Sequence, residues 1–318
     1  MGGRTSGNWL LDWEKAIKLY DPDNVVYIAS RCLGLWQFGH ELSLTEYVNL
    51  RSRPERLTEL IPAAAAAELQ KKFRAALRRR DEGEPWAYIW GQINFLGREF
   101  FTDTSVLIPR SDTEILWEAA VAGAKKIFQQ RGRALRILEL CTGSGCLIIS
   151  LLNELAALNI PVELAVATDI SAAAIRLVER NRQHLCPDLP LVRLTGDLLE
   201  PVEAAGLGEF DFCLANPPYV TPAEYTALPD EVRNYEPRLA LTDEIDGLDF
   251  YRRILHDVKL YGRNSKAAAL YLWVEHGMTQ RDAITEVAEA EGWLPFEYRD
   301  DYAGLPRVCG FCYERNAE

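Results

Sequence analysis

The chain has 318 residues, 48% of them hydrophobic and 26% charged, the composition of a folded soluble protein of about two domains. That excludes a disordered, collagen-like or coiled-coil chain, and no apolar run nears the roughly 18 residues of a membrane span. The net charge of −12 is uneven: residues 1–82 hold 13 Lys/Arg against 11 Asp/Glu, and residues 83–318 hold 22 against 36, which argues against a duplex-binding surface.

Residues 1–7 carry neither an apolar core nor a run of arginines, so no targeting peptide is expected. The first 80 residues read as helices. Leu10, Trp13, Ile17 and Leu19 recur near helical spacing, as do Val25, Ile28, Ala29 and Cys32. Ser43 with Glu46 three residues on has the form of a capping box. The clearest helix spans 62–80, alanine-rich, with Arg78, Arg79 and Arg80 at the end where the helix dipole favours cations, and Gly83 stops it. Residues 84–108 change character: Trp86, Tyr88, Ile89, Trp90, Phe95, Phe100 and Phe101, punctuated by Gly91 and Gly97, have strand-and-turn composition and predict a hairpin between two domains. A helix follows from Asp112 to about Arg131.

Beyond it, short apolar runs alternate with helical patterns. Strands are expected at 135–140, 163–168, 191–194, 210–215 and 267–274, and helices at 148–158, 172–184, 248–260 and 279–292. This alternation means an α/β domain with a parallel sheet covered on both faces. The last two strands, 294–299 and 308–314, have no helix between them and should form an antiparallel hairpin at one edge.

Three consecutive strand tips carry ligand-type residues. Cys141-Thr142-Gly143-Ser144-Gly145 follows the first strand and precedes a helix, where glycines permit close backbone approach and the helix start offers N–H donors. The third glycine of a dinucleotide fingerprint is missing, since Ile148 occupies its place, and there is no Gly-Lys-Ser/Thr phosphate loop. Asp169 at the second tip suits a ribose diol, and Asp197, followed by Leu198, suits an adenine amino group. The fourth tip is the most specific: Asn216-Pro217-Pro218-Tyr219. Its prolines restrict the backbone and withhold N–H donors, leaving the Asn216 side-chain oxygen and the Pro217 carbonyl as rigid acceptors beside the Tyr219 ring. Such acceptors fit a planar –NH2 conjugated to a carbonyl or an aromatic ring. Its lone pair is delocalised, so positioning against an electrophile matters more than a strong base.

Glycine turn, two acids and Asn-Pro-Pro-Tyr together resemble class I S-adenosylmethionine-dependent methyltransferases of amide or exocyclic nitrogens. More narrowly, the chain is similar to the HemK/PrmC family of peptide chain release factor N5-glutamine methyltransferases. The similarity covers roughly residues 83–315, through Gly83-Glu84-Pro85-Trp86, Ile108-Pro109-Arg110-Ser111-Asp112-Thr113-Glu114, Glu236-Pro237-Arg238-Leu239-Ala240-Leu241, Gly247-Leu248-Asp249-Phe250-Tyr251 and Gly304-Leu305-Pro306-Arg307. Departures are Cys141 at the first loop position, Ser111 where proline is common, and His276 within Glu275-His276-Gly277.

The resemblance implies a Rossmann-like, seven-stranded methyltransferase domain at 111–318, a hairpin linker at 83–110, and a small all-helical substrate-docking domain at 1–82. It implies S-adenosyl-L-methionine held by Cys141, Thr142, Gly143, Ser144, Gly145, Asp169, Asp197, Leu198 and Asn216. The glutamine amide would be gripped by Asn216, Pro217, Pro218 and Tyr219, of which Asn216, Pro217 and Tyr219 carry the catalytic role, with Phe100 and Arg110 flanking the substrate entrance. Release factors are then the protein partners of a cytoplasmic, monomeric enzyme that binds neither DNA nor membrane. A ribosomal-protein glutamine methyltransferase is the nearer alternative, a DNA amino-methyltransferase the more distant one, and a non-enzymatic cofactor-binding scaffold would need a damaged acceptor motif. The Cys309-x-x-Cys312 spacing places two thiols on opposite faces of a strand, not in a redox pair, and the four histidines lack metal-ligand spacing.

Overall fold

The structure is a computed structural model and describes residues 9–262 and 269–314. The chain separates into two compact units, residues 1–90 and 91–318. In the first, six α-helices run in order among the described residues: α1 (Trp9–Ile17), α2 (Val25–Leu33), which continues into a π-helical turn at Gly34–Phe38, α3 (Leu44–Ser52), α4 (Pro54–Leu60), α5 (Ala63–Asp81) and α6 (Trp86–Trp90). Their apolar faces converge on one core around Trp13, Ile28, Tyr47, Leu69 and Phe73, with Trp13 stacked on Phe73 at 4.2 Å between ring centroids. The capping box at α3 is formed: Ser43 Oγ accepts from the Glu46 N–H at 3.2 Å, and Glu46 accepts in return from the Ser43 N–H at 2.9 Å. The aromatic stretch 86–90, expected as strand, is the helix α6 instead. Tertiary packing overrides strand propensity here, since Trp86, Ala87, Tyr88 and Ile89 are all buried, with Trp86 and Ile89 in the helical core.

The hairpin is shorter than expected and lies wholly in the second unit, as β1 (Gln92–Phe95) paired antiparallel with β2 (Arg98–Phe101). The chain then runs through α7 (Thr113–Arg131), β3 (Leu135–Leu140), α8 (Cys146–Ala157), β4 (Val162–Asp169), α9 (Ala172–Leu185) and β5 (Leu191–Thr195). It continues through α10 (Glu200–Ala204), β6 (Phe212–Ala215), α11 (Pro222–Ala227), α12 (Asp230–Tyr235), α13 (Asp249–Gly262), β7 (Ala269–Glu275), α14 (Arg281–Ala290), β8 (Leu294–Asp300) and β9 (Pro306–Glu314). Of the expected strand at 267–274, residues 267 and 268 lie outside the described residues.

The seven strands form one sheet in the order β5-β4-β3-β6-β7-β9-β8. The first five are parallel neighbours, and β9 and β8 close the edge antiparallel, as the missing helix between them predicts. This is the Rossmann-like class I arrangement. Strand alternation sends Ile137, Ala165, Phe212, Leu214 and Trp273 to a core under α7 and α8, and Leu138, Val166, Cys213, Leu272 and Val274 to a core under α13 and α14. Gly123 on α7 lets the helix lie directly on the sheet: a Cβ there would stand 2.3 Å from the Trp273 ring.

From β3 the connections lead outward to β4 and β5, and then return to β6 on the other side of β3. A crevice opens where neighbouring strands send their chains in opposite directions, at the carboxyl ends of β3 and β6. Among the described residues no helix is long and apolar enough to cross a membrane.

Candidate active site

The crevice is a cavity of about 370 Å³, and the carboxyl ends of β3, β4, β5 and β6 all contribute to its lining. The loop after β3 turns sharply into α8, with Cys141 at φ +56°, Gly143 at +55° and Gly145 at +77°. Glycine takes the left-handed region at no steric cost, whereas Cys141 holds it with strain of about 1 kcal/mol. The loop is stitched to the end of β4: the Thr142 N–H donates to Thr168 O at 3.0 Å and the Gly143 N–H to Asp169 Oδ2 at 2.9 Å. A third stitch comes from Asn181 on α9, fully buried, whose Nδ2 donates to Ser144 O at 2.9 Å and to Phe101 O at 3.1 Å while its Oδ1 accepts from the Phe101 N–H at 2.7 Å.

Asp169 also accepts the Ser171 N–H at 2.9 Å. Burial raises its carboxyl above the usual range, and the two backbone N–H donors oppose that shift. Cys141, Thr142, Gly143, Ser144, Asp169 and Leu198 all line the cavity. Asp197 lines it too, paired with Arg253 Nη2 at 2.5 Å. Gly145 does not; its N–H is turned to Thr142 O at 2.9 Å.

Asn216 reaches the cavity from the end of β6. Its Nδ2 donates to Thr113 Oγ1 at 3.2 Å at the start of α7, and among the described residues no donor reaches its Oδ1. Glu275, buried at the end of β7, lies beside both; burial pushes its carboxyl up to about 7, and the donors of Thr113 and Asn216 and the charge of Arg307 oppose this. The amide nitrogen of Asn216 is thus engaged within the protein, and its oxygen is the end left for a ligand. Pro218 lines the cavity beside it. Pro217 is buried and Tyr219 half-buried, and neither belongs to the lining. The Tyr219 carbonyl is held by Gln280 Nε2 at 2.9 Å, and burial pushes its phenol well above the usual range.

Arg110 lines the cavity, but Phe100 does not. Phe100 is 0% exposed within the core, because period-two alternation along β2 turns it inward and leaves Phe101 outside beneath Arg180, 3.6 Å from the ring centroid. Its placement at a substrate entrance is therefore corrected.

Several lining residues had no role assigned from sequence. Glu139, the penultimate residue of β3, is buried, its oxygen bonded to Thr142 Oγ1, and burial pushes its carboxyl up to about 8. Thr113 is read from sequence as a helix start. Phe250 and Arg253 stand one turn apart on α13, a spacing that marks one helix face without saying what the face meets. Among the described residues no cluster of three or more His, Cys, Asp or Glu is placed to hold a metal, and all seven cysteines are free.

No protein-family model matches the chain. In solved structures, the hMettl16 catalytic domain, determined in complex with MAT2A 3'UTR hairpin 1, shares the fold at 15% identity, with a TM-score of 0.51 over 78% of this chain and 80% of that one. Among curated proteins, the release factor glutamine methyltransferase of Bordetella pertussis is 36% identical over 269 residues, 84% of this chain and 92% of the relative. That of Clostridium acetobutylicum is 35% identical over 239 residues, 75% and 78% respectively. Likeness of this depth, spanning most of both partners, shows the relation: the chain belongs to the release factor glutamine methyltransferase family.

Proposed function

We propose that the protein transfers a methyl group from S-adenosyl-L-methionine to the side-chain amide nitrogen of the glutamine in the Gly-Gly-Gln motif of peptide chain release factors. The observation that carries this reading is Asn216, which lines the cavity with its nitrogen committed to Thr113 and, among the described residues, no donor on its oxygen. A planar primary amide offers the complementary N–H.

The cavity fits the cofactor. Its volume of about 370 Å³ is within the range for small-molecule sites. The loop residues 141–144 line it, the Asp169 carboxylate offers acceptors to a ribose diol, and Asp197 with Leu198 faces an adenine. When bound, the cofactor provides an electrophilic methyl group on a sulfonium. The chain's own work is positional. Asn216 Oδ1 accepts one amide proton of the glutamine and the Pro217 carbonyl the other, which fixes the nitrogen's direction and excludes competing water. Pro218 walls the amide, and Tyr219 supports the motif from beside it. An N-alkylated amide still carrying its proton is strongly acidic, so that proton leaves without a dedicated general base.

The expected boundaries at 82 and 110 move to a single one: the helical unit, residues 1–90, is the docking domain for the protein substrate, and residues 91–318, hairpin included, carry the methyl transfer. The acidic balance of residues 83–318 disfavours DNA as substrate. The test is transfer from labelled S-adenosylmethionine to a purified release factor and to its Gly-Gly-Glu version, with ribosomal proteins and DNA as controls. Label on the glutamine form alone is the expected outcome; label on a ribosomal protein or on DNA instead overturns the substrate.

A further inference from the structure

Two segments outside the sheet, distant in sequence, contribute eight of the residues that line the cavity: Ser105, Val106, Leu107, Pro109 and Arg110 from a loop, and Pro237, Leu239 and Ala240 from a stretch that ends in a single 3-10 turn, Arg238–Ala240. Neither is a strand of the sheet, so neither is held by a ladder of backbone bonds. A buried side chain links them. Glu236, 4% exposed, accepts the Ile108 N–H on Oε2 at 3.0 Å and an Arg110 guanidinium N–H on Oε1. Its own backbone is well fixed: the Glu236 N–H donates to Val232 O at 3.0 Å, closing α12, and Pro237 keeps it extended.

A buried carboxylate is a poor choice for stability alone, since apolar packing of similar volume serves as well or better. What it adds is direction: a bidentate acceptor admits one arrangement of the two donors. The Arg110 side chain is 37% exposed, so the cationic half of the pair stands at the solvent side while the anionic half is sealed.

We propose that Glu236 is a positioning residue that latches the 105–110 segment to the 237–240 segment and so completes the wall of the methyl-transfer cavity. The inference deepens the proposed function and rests on that cavity being the cofactor and glutamine site. Opening the latch frees both segments, and affinity for what the cavity holds falls while the catalytic Asn216 stays in place.

The experiment uses the full chain with Glu236→Gln, Arg110→Met and the double variant. Binding of S-adenosylhomocysteine is measured by calorimetry, KM and kcat with a release factor by label transfer, and folding by thermal melting. Each single change should weaken S-adenosylhomocysteine binding about tenfold, the scale of one lost charge-assisted hydrogen bond. The double variant should bind no worse than the weaker single one, because both break one link. The KM values should rise more than kcat falls. Single variants that melt lower yet bind within twofold of the parent overturn the proposal, as do effects that multiply in the double variant. If Glu236→Gln does not fold, Arg110→Met carries the test alone. A parent protein that binds S-adenosylhomocysteine but leaves every release factor unlabelled overturns the proposed function and not the latch; a parent that does not bind it overturns both.

Discussion

The two ends of strand β6 carry a buried aspartate and an asparagine five residues apart, and they do opposite things. Asp211, just before the strand, is 0% exposed and saturated: Arg133 donates to it at 2.7 and 3.1 Å, the Arg136 N–H at 2.7 Å, and Arg131 adds a further bond. Among the described residues, the side chain of Asn216, just after it, is held through its nitrogen, with no donor on its oxygen. One end of the strand spends all its polarity on the protein's own arginines; the other keeps an acceptor in reserve. In a parallel sheet this asymmetry has a cause, because ligands enter at the carboxyl ends, where the connections leaving β3 and β6 run to opposite sides. Saturated polar groups hold a fold together, and an unsaturated one facing a cavity is where binding energy is available.

Separating the two ends by mutation sharpens the contrast. Asp211→Ala leaves two arginines facing each other without their anion and should destabilise the protein by about 3 kcal/mol, read by denaturant unfolding. The fraction that folds should keep its kcat. Asn216→Ala should do the reverse, lowering kcat about a hundredfold through loss of alignment while the melting temperature moves by no more than a few degrees. Equal losses of stability and activity at both ends would break the comparison.

The smallest expected effect concerns Glu139, at the carboxyl end of β3. Its folded pKa, about 8, lies above the ordinary 4.5, so the native state holds a proton that the unfolded chain has lost between those values. The stability from this group is therefore complete below pH 4.5 and is lost as pH rises towards about 8. Compared with the parent, Glu139→Gln should show unfolding free energies that fall less steeply across that window, the difference staying below about 1.4 kcal/mol per pH unit. Parallel pH profiles of the two proteins would show that Glu139 is ionised throughout.

How much of this was legible in the sequence varies with the range of the forces involved. The sheet strands and their helices were legible because burial on two faces writes long apolar runs, and the position of Asn216 at the cavity because it ends one of those strands. The stretch Trp86–Trp90 misled because aromatic residues suit a strand and a buried helix alike, and only the packing partners choose. Phe100 misled for a simpler reason: sequence gives the alternation along β2 but not which face is the core.

By itself, then, the sequence determined the α/β class, the antiparallel edge formed by β8 and β9, and the strand tips that carry Cys141–Gly145, Asp169, Asp197 and Asn216, all properties of residues close together in the chain. Only the tertiary structure decided that Thr113 and Glu275 turn the Asn216 amide, that Arg253 answers Asp197, and that Glu236 ties residue 108 to residue 236. Those links join segments as much as 128 residues apart, and contact at such separation is set by how the sheet and its helices pack, not by any local pattern.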